Sequence, residues 1–251
     1  MYGAHINPYN SEVQSVKQHL KNVSELSREY AAKISLPTVG ELIGLLHDLG
    51  KICERFNNYL HYSHSHPEDK SLRGTVNHST AGAKLIYDSF FHSKDLFEKF
   101  TSQLIALVIC SHHGGLIDCI DLDGIDIFTH KLKTEQDICY EEALSNFYKE
   151  CIDYSAIKHL FSNAVKELKD VLSELNRMDA SSQNRNFLSG MLVKYLYSCL
   201  IDADRYDTFC FMENKEPQKK VGVASLWEEL QKTLEFKLSQ HPMESEIDIL
   251  R

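Results

Sequence analysis

A histidine and an aspartate stand side by side within an almost entirely apolar segment, residues 42–51. Apolar side chains at positions 42, 43, 45, 46, 49 and 52 leave almost no polar face, which predicts a helix that is buried on nearly all sides. A carboxylate taken out of water costs several kcal/mol unless it is protonated, paired with a cation or bound to a metal. Lys51, one turn further on, and a metal ion are therefore the candidate partners of His47 and Asp48.

The composition is that of an ordinary globular protein. The chain has 251 residues, 43% of them hydrophobic and 25% charged, enough for one large domain or two small ones. It contains no apolar run of roughly 20 residues and no secretory signal, and its seven cysteines are scattered, so we expect a cytoplasmic protein with no membrane partner. The net charge of −9 predicts that the isolated chain binds DNA more weakly than about micromolar at physiological salt.

Helical periodicity predicts an all-α fold with one core. Thr38 and Glu41 are spaced as a capping box ahead of the apolar helix. No stretch alternates with period two for long enough to form a sheet, and the histidine-rich residues 61–67 and the acidic residues 118–126 predict exposed loops. The predicted helices cover residues 11–34, 42–60, 97–109, 135–151, 156–178 and 186–207, with another opening at residues 77–81 and a short one near residue 225.

Several further histidines and aspartates occupy inward positions or helix ends. His19 lies within the apolar stripe of the first helix, and His78 lies in the first turn of a later one. Two glycines end the helix that carries the tandem histidines at 112 and 113, and the apolar helix 186–207 closes with aspartates at 202 and 204. Taken singly, each of these side chains is a weak indication, because a lone inward histidine is more often a hydrogen-bonded core residue than a metal ligand.

As an ordered set, these residues resemble the HD superfamily of metal-dependent phosphohydrolases, whose pattern is a His, a His-Asp pair, further histidines and a late Asp. Three motifs narrow the resemblance to the HD nuclease domain of the CRISPR-associated helicase-nuclease of type I systems. This likeness runs from the first helix to about residue 210. The motifs are HDLGK at 47–51, HHGGL at 112–116 and DADRYDT at 202–208.

The resemblance implies an HD-domain helical bundle with a dinuclear metal site in its core. The HD nuclease domain would cover residues 1–213. Residues 214–251 would form a linker and terminal helix leading towards a superfamily 2 helicase domain, in the same longer chain or encoded separately. Five imidazoles with two carboxylates favour manganese, iron, cobalt, nickel or zinc, and magnesium stays open. The implied metal ligands are His19, His47, Asp48, His78, His112, His113 and Asp204.

Within that set, Asp48 would bridge the two metals, and the residues that follow Ala-Asp in the family pattern select Asp204 over Asp202. Asp204 would join His19 and His47 at the first metal, and the other three histidines would hold the second. Two metals about 3.5–4 Å apart can clamp a phosphodiester. Lys51 would either contact the scissile phosphate or pair with Asp48, so the implied catalytic residues are Asp48 and Lys51.

The function that this resemblance implies is a metal-dependent endonuclease for single-stranded DNA in CRISPR interference, an antiviral defence. A helicase domain and a guide-RNA surveillance complex would supply the strand. One alternative is an HD phosphodiesterase acting on nucleotides or cyclic dinucleotides, although the tandem histidines are followed by Gly-Gly-Leu and not by the Asp-Gly-x-Gly-Tyr-Pro run of the cyclic dinucleotide branch. A second alternative, a non-enzymatic metal-stabilised docking module, predicts a lost ligand, and none is missing.

Overall fold

The structure is a computed structural model that describes residues 1–72, 74–133, 139–178, 181–217 and 224–240. Residues Met1–Lys215 form one compact unit, and Glu216–Arg251 form a second. The first unit contains β1 (Gly3–Ile6), β2 (Val13–Ser15), α1 (Val16–Ala32), α2 (Pro37–Leu46), a 3₁₀ turn (Leu49–Lys51), α3 (Glu54–Ser65), α4 (Ala81–Phe90), α5 (Leu96–Ser111), α6 (Ile127–Lys133), α7 (Tyr140–Glu150), α8 (Tyr154–Met178) and α9 (Ser182–Met212). The described part of the second unit is α10 (Ala224–Ser239) and its flanks.

The all-α prediction is confirmed, apart from one small hairpin at the start of the chain. β1 and β2 pair antiparallel. The helix predicted over residues 11–34 is therefore wrong for residues 11–15, which are not helical. Strands of three and four residues are too short to produce a readable period-two pattern, which is why the sequence does not reveal them. α1 begins at Val16 because the Ser15 hydroxyl accepts a hydrogen bond from the Gln18 amide and caps the helix.

The first unit has one core, in which α2 is surrounded by α1, α5, α8 and α9. α1 and α2 approach closely enough that a Cβ at Gly44 would lie 2.6 Å from the Val23 carbonyl oxygen. Only glycine permits this approach. It sets the third turn of α1 beside the end of α2, which brings His19 and His47 together. Within the described residues, no helix is both long and apolar enough to span a bilayer.

The predicted capping box at the start of α2 is wrong. Pro37 occupies the first helical position, so Thr38 lies inside the helix, and the N-cap residue Leu36 has no side-chain oxygen to offer. Glu167 of α8 supplies the cap instead, because its carboxylate accepts hydrogen bonds from the Thr38 and Val39 amides at 2.9 and 3.3 Å. A carboxylate at a helix N-terminus also interacts favourably with the helix dipole.

The predicted continuous helix over residues 42–60 is also wrong. α2 ends at Leu46, His47 is its C-cap, and a 3₁₀ turn separates it from α3. At the turn, Gly50 lies so close to the next segment that a Cβ would be 2.4 Å from the carbonyl oxygen of His78. His47 and Asp48 therefore stand at a break between helices and not in the middle of one.

Several other boundaries differ from those predicted. Residues 61–65 belong to α3 and are not a loop, although their side chains stay at the surface or half-buried. The segment containing His78 comes ahead of α4 and not within it, and α6 was not predicted. In the predicted helix 135–151, residues 135–138 lie outside the described part, as do residues 218–220 of the predicted linker and the tail from residue 241.

The cap contributed by Glu167 gives a stability prediction. Glu167→Ala should lower the free energy of unfolding by about 1–2 kcal/mol, because two amides at the start of α2 lose their acceptor. Urea denaturation measures the change. Glu174→Ala, on the exposed face of the same helix, is the control and should change stability by less than about 0.5 kcal/mol, since exposed ion pairs contribute little. Equal losses for both variants would contradict the capping role.

Candidate metal centre

The seven predicted ligands converge on Asp48, although they come from distant parts of the chain. Asp48 follows the C-cap of α2 and is 1% exposed. His19 belongs to α1 and Asp204 to α9. His112 and His113 stand at the end of α5, and His78 stands just before α4. Helix ends supply most of the set because a side chain there can project into a shared space.

The first group of side chains surrounds one oxygen of Asp48. Its Oδ2 lies 3.4 Å from His19 Nε2 and 3.3 Å from His47 Nε2. Asp204 Oδ1 lies 3.3 Å from His19 Nε2 and 3.7 Å from His47 Nε2. One ligand atom from each of these four residues fits within 4.8 Å of the other three, a spacing that suits a single cation.

The second group surrounds the other oxygen of Asp48. Its Oδ1 lies 3.4 Å from His112 Nε2 and 3.9 Å from His113 Nε2, and these three residues form a second compact set of ligand atoms. His78 Nε2 is also 3.9 Å from Oδ1 and only 2.7 Å from His113 Nε2. The two groups therefore share Asp48, with one carboxylate oxygen facing each.

Of the two candidate aspartates on α9, the structure places Asp204 in the centre and leaves Asp202 outside it. Residues two apart on a helix point about 200° away from each other, so only one of them can face the centre. Asp204 lies at its edge, 20% exposed, whereas Asp202 is exposed on a different face of α9. The family-based preference for Asp204 agrees with this placement.

Orphaned buried atoms show that the centre fits a cation. His19 Nε2, His47 Nε2, His112 Nε2 and Asp48 Oδ1 are all buried without a hydrogen-bond partner within the described structure. Leaving such atoms unsatisfied would cost free energy at every one of them. A divalent metal satisfies imidazole nitrogens and a carboxylate oxygen together, so the residues present fit the group.

The opposite ring nitrogens have partners that leave each Nε2 with its lone pair. Nδ1 of His47 lies 2.8 Å from the Gly44 carbonyl oxygen, and Nδ1 of His112 lies 2.6 Å from the Ile109 carbonyl oxygen. A carbonyl only accepts hydrogen bonds, so Nδ1 must carry the proton. In the neutral imidazole, Nε2 is then the free donor to a metal, an arrangement typical of metal-binding histidines.

The charges of the centre also call for a cation. Burial works to lower the pKa of His19 and of His47, but the nearby carboxylates of Asp204 and Asp48 outweigh it and raise the pKa values to about 10 and about 9 in the metal-free protein. Burial works to raise the pKa of Asp48, but Lys51 and His47 hold it well below its usual range. Protons and a metal therefore compete for the same nitrogens.

The two outer histidines behave differently. Burial is the main reason that the pKa of His78 falls to about 3 and that of His113 to about 4, with nearby Lys51 adding to both shifts. Both rings are neutral at physiological pH, which is the form that binds a metal. His113 is also the most accessible of the seven, 47% exposed, so the centre opens towards solvent on its side.

Lys51 pairs with Asp48, which is one of the two roles considered for it. Its Nζ lies 2.7 Å from Asp48 Oδ2 and 5.6 Å from the centre of the Phe56 ring, and the side chain is buried. The ammonium thus balances part of the charge of the shared carboxylate. Contact between Lys51 and a scissile phosphate stays a prediction.

Sequence reasoning missed the residues that hold His19 in place. Asp207 Oδ2 accepts hydrogen bonds from His19 Nδ1 at 2.7 Å and from Gln14 Nε2 at 2.8 Å, and its Oδ1 accepts one from Asn22 Nδ2 at 2.6 Å. The His5 ring adds an edge-on contact, with its centre 4.9 Å from that of His19. A usable signal existed for Asp207, which lies one helical turn after Asp204; none existed for Gln14 or His5, which the unpredicted hairpin delivers.

The HD domain family profile matches residues 16–144, about half of the chain. The chain belongs to the HD domain family. The match includes six of the seven converging residues, and Asp204 follows it on α9. No curated protein sequence matches the chain. An HD domain with this His/Asp cluster is a metal-dependent phosphohydrolase whose cluster binds divalent metal.

The raised histidine pKa values of this HD domain predict how its metal-free stability depends on pH. Both histidines have folded-state pKa values above the unfolded value of 6.5, so their contribution is complete below pH 6.5 and declines as the pH rises towards 9 and 10. In a chelator, the melting temperature should therefore fall between pH 6.5 and about 7.5, below the range where free thiols ionise. A saturating divalent metal should flatten this fall, and an equal slope with and without metal would contradict the assignment.

Asp207 predicts a loss of metal affinity when its charge is removed. Asp207→Asn keeps the size of the side chain but weakens the acceptor that orients His19, so affinity should fall by about 10–100-fold. Competition against a coloured chelator measures it. Asp202→Asn removes the same charge from another face of α9 and should leave affinity unchanged; a matching loss in this control would mean that net charge, and not orientation of His19, is responsible.

Proposed function

We propose that the chain is a metal-dependent nuclease that cuts single-stranded DNA in CRISPR interference. The observation that carries the proposal is the shared carboxylate: the two oxygens of Asp48 face two separate groups of imidazoles. This is the ligand arrangement that two neighbouring cations need. Two divalent cations, when bound, would activate water and stabilise the leaving oxygen of a phosphodiester.

The residues divide into two sets around Asp48. His19, His47 and Asp204 would hold one cation, and His112, His113 and His78 would hold the other. Nitrogen donors outnumber oxygen donors, which favours manganese, iron, cobalt, nickel or zinc. Asp207 keeps the ring of His19 in position, and Lys51 balances the charge of the shared carboxylate.

The open edge of the centre suits a polymer substrate. His113, Asp204 and His78 are the partly exposed ligands, whereas His19 and His47 are fully buried. Beside them, Gly114 and Gly115 face open space, because a Cβ at either position would meet nothing within 4 Å. A strand can therefore approach from this side without entering an enclosed cavity, which supports single-stranded DNA over a substrate that must be engulfed.

The proposed partners follow from the charge and the motifs. A chain with a net charge of −9 attracts phosphates poorly, so a partner has to bring the strand to the centre. The motifs HHGGL and DADRYDT support the particular partners proposed, a superfamily 2 helicase and a guide-RNA surveillance complex. The helicase would act in the same chain or as a separate protein.

Cleavage of circular single-stranded DNA tests the proposal. Metal-stripped protein should regain cleavage with one or more of manganese, iron, cobalt, nickel and zinc, with magnesium included for comparison. Linear products from circles would show that the enzyme cuts internally. Asp48→Ala and Asp204→Asn should each lower the rate by at least about 100-fold, since even outer-shell partners of metal ligands cost 10–100-fold.

The control variant is Asp88→Asn, an exposed aspartate of α4, which should cut like the wild type because Asp88 lies outside the cluster. If circles survive with every metal while the protein still binds two ions, DNA is the wrong substrate. Hydrolysis of nucleotides or cyclic dinucleotides under those conditions would support the phosphodiesterase alternative. If the protein binds no metal at all, both enzyme assignments fail.

A further inference from the structure

A second concave site lies away from the metal ligands, where the end of α1 meets the outer face of α9. Its volume is about 390 Å³, within the range of pockets that bind small organic groups. We call it the tyrosine pocket, and the residues that define it are Tyr30, Lys33, Tyr195, Tyr197, Asp202 and Arg205.

The tyrosine pocket combines aromatic rings with positive charge. Three tyrosines contribute to its walls, and Lys33 and Arg205 supply two positive charges against one negative charge from Asp202. Within the described residues, no carboxylate lies at ion-pair distance from either Lys33 or Arg205. Because the protein as a whole has a net charge of −9, this local excess of positive charge is a candidate binding site for an anionic ligand.

The pocket is partly preorganised. The Tyr195 hydroxyl donates a hydrogen bond to the Tyr30 carbonyl oxygen at 3.3 Å, which holds the ring of Tyr195 against α1. The Lys33 ammonium lies 5.6 Å from the centre of the Tyr30 ring. Because these contacts fix the side chains before a ligand arrives, binding loses less conformational entropy.

The position of the pocket on α9 connects it to the metal centre. Arg205 is the residue after Asp204, and Ile201, which also lines the pocket, lies one turn before it. On a helix both positions lie to the same side of Asp204, about 60° and about 100° around the axis. Tyr197 is seven residues from Asp204, which is about 10 Å along the axis at 1.5 Å per residue. A strand that passes the open edge beside Asp204 therefore reaches the pocket within a few nucleotides.

We infer that the tyrosine pocket binds a nucleotide of single-stranded DNA that lies a few nucleotides away from the scissile phosphodiester. A base stacks on Tyr197 or Tyr195, and Lys33 and Arg205 contact the adjoining phosphates. Rings that accept any base, combined with cations that follow the backbone, are the usual means of binding single strands without reading their sequence. The inference rests on the proposed function, because the strand that fills the pocket is the strand to be cut.

Binding in the presence of a chelator tests the pocket separately from cleavage. Fluorescence anisotropy of labelled oligo(dT) of about ten nucleotides, at low ionic strength, gives the dissociation constant of the full chain. Tyr197→Ala should raise this constant by about fivefold to a hundredfold through lost stacking. Lys33→Gln and Arg205→Gln should each raise it and lower the slope of log affinity against log salt by about 0.7.

The chain offers matched controls on α8. Lys158 lies 5.7 Å from the centre of the Tyr154 ring, much as Lys33 lies over Tyr30. Lys158→Gln and Tyr154→Ala should leave both the affinity and the salt slope unchanged. Thermal melts check that each variant folds. If Tyr197→Ala does not fold, the Lys33 and Arg205 variants still test the pocket, because both side chains are exposed and their replacement does not disturb the core.

Failure of the pocket and failure of the proposed function give different results. The pocket assignment is overturned if the wild type does not bind oligo(dT), if the pocket variants bind as the α8 controls do, or if thymidine monophosphate binds as tightly as the oligonucleotide. If the pocket variants weaken binding but no metal supports cleavage, the pocket stands as a single-strand site and the nuclease function is overturned.

Discussion

The buried carboxylate of Asp48 is the constraint on which the rest of the structure depends. Taking it out of water would be prohibitive without compensation, and the fold surrounds it with Lys51 and five imidazoles. Its two oxygens face two different groups of ligands. This arrangement explains why so many buried polar atoms point inward in an otherwise apolar core, and why the core fits divalent metal.

Backbone geometry makes this concentration of polar groups possible. α2 stops at Leu46, so His47 and Asp48 leave the helical path and face the centre from a turn. Gly44 and Gly50 let α1 and the segment of His78 come close enough to add their imidazoles. Second-layer contacts, chiefly Asp207 on His19 and main-chain carbonyls on the other rings, then orient the nitrogens. A metal site of this kind needs such support because ligand orientation governs affinity.

The residues of α9 suggest how this acidic protein could bind single-stranded DNA, the substrate proposed for it. One face carries Asp204 and Asp207 into the centre, where cations would offset their charge. Arg205 lies on the adjoining face and Tyr197 lies two turns before Asp204, and their positive charge and ring suit a nucleotide. Under the proposed function, binding of the strand would be local and weak, which fits a partner that delivers it.

The sequence by itself determined the helical class of the fold and the identity of the seven converging residues. Helical periodicity is local in the chain, and the order of the histidines and aspartates indicates the ligands through its resemblance to the HD pattern, so both can be read without coordinates. Even the choice of Asp204 over Asp202 follows from the motif and helix geometry.

Tertiary structure alone decided the break after α2, the N-terminal cap that the Glu167 carboxylate forms on α2, and the residues that orient His19. Each depends on contacts between segments far apart in the chain: Gly50 against His78, α8 against α2, and the hairpin residue Gln14 against Asp207. Local patterns carry no information about such contacts, because the partner's position exists only once the chain has packed.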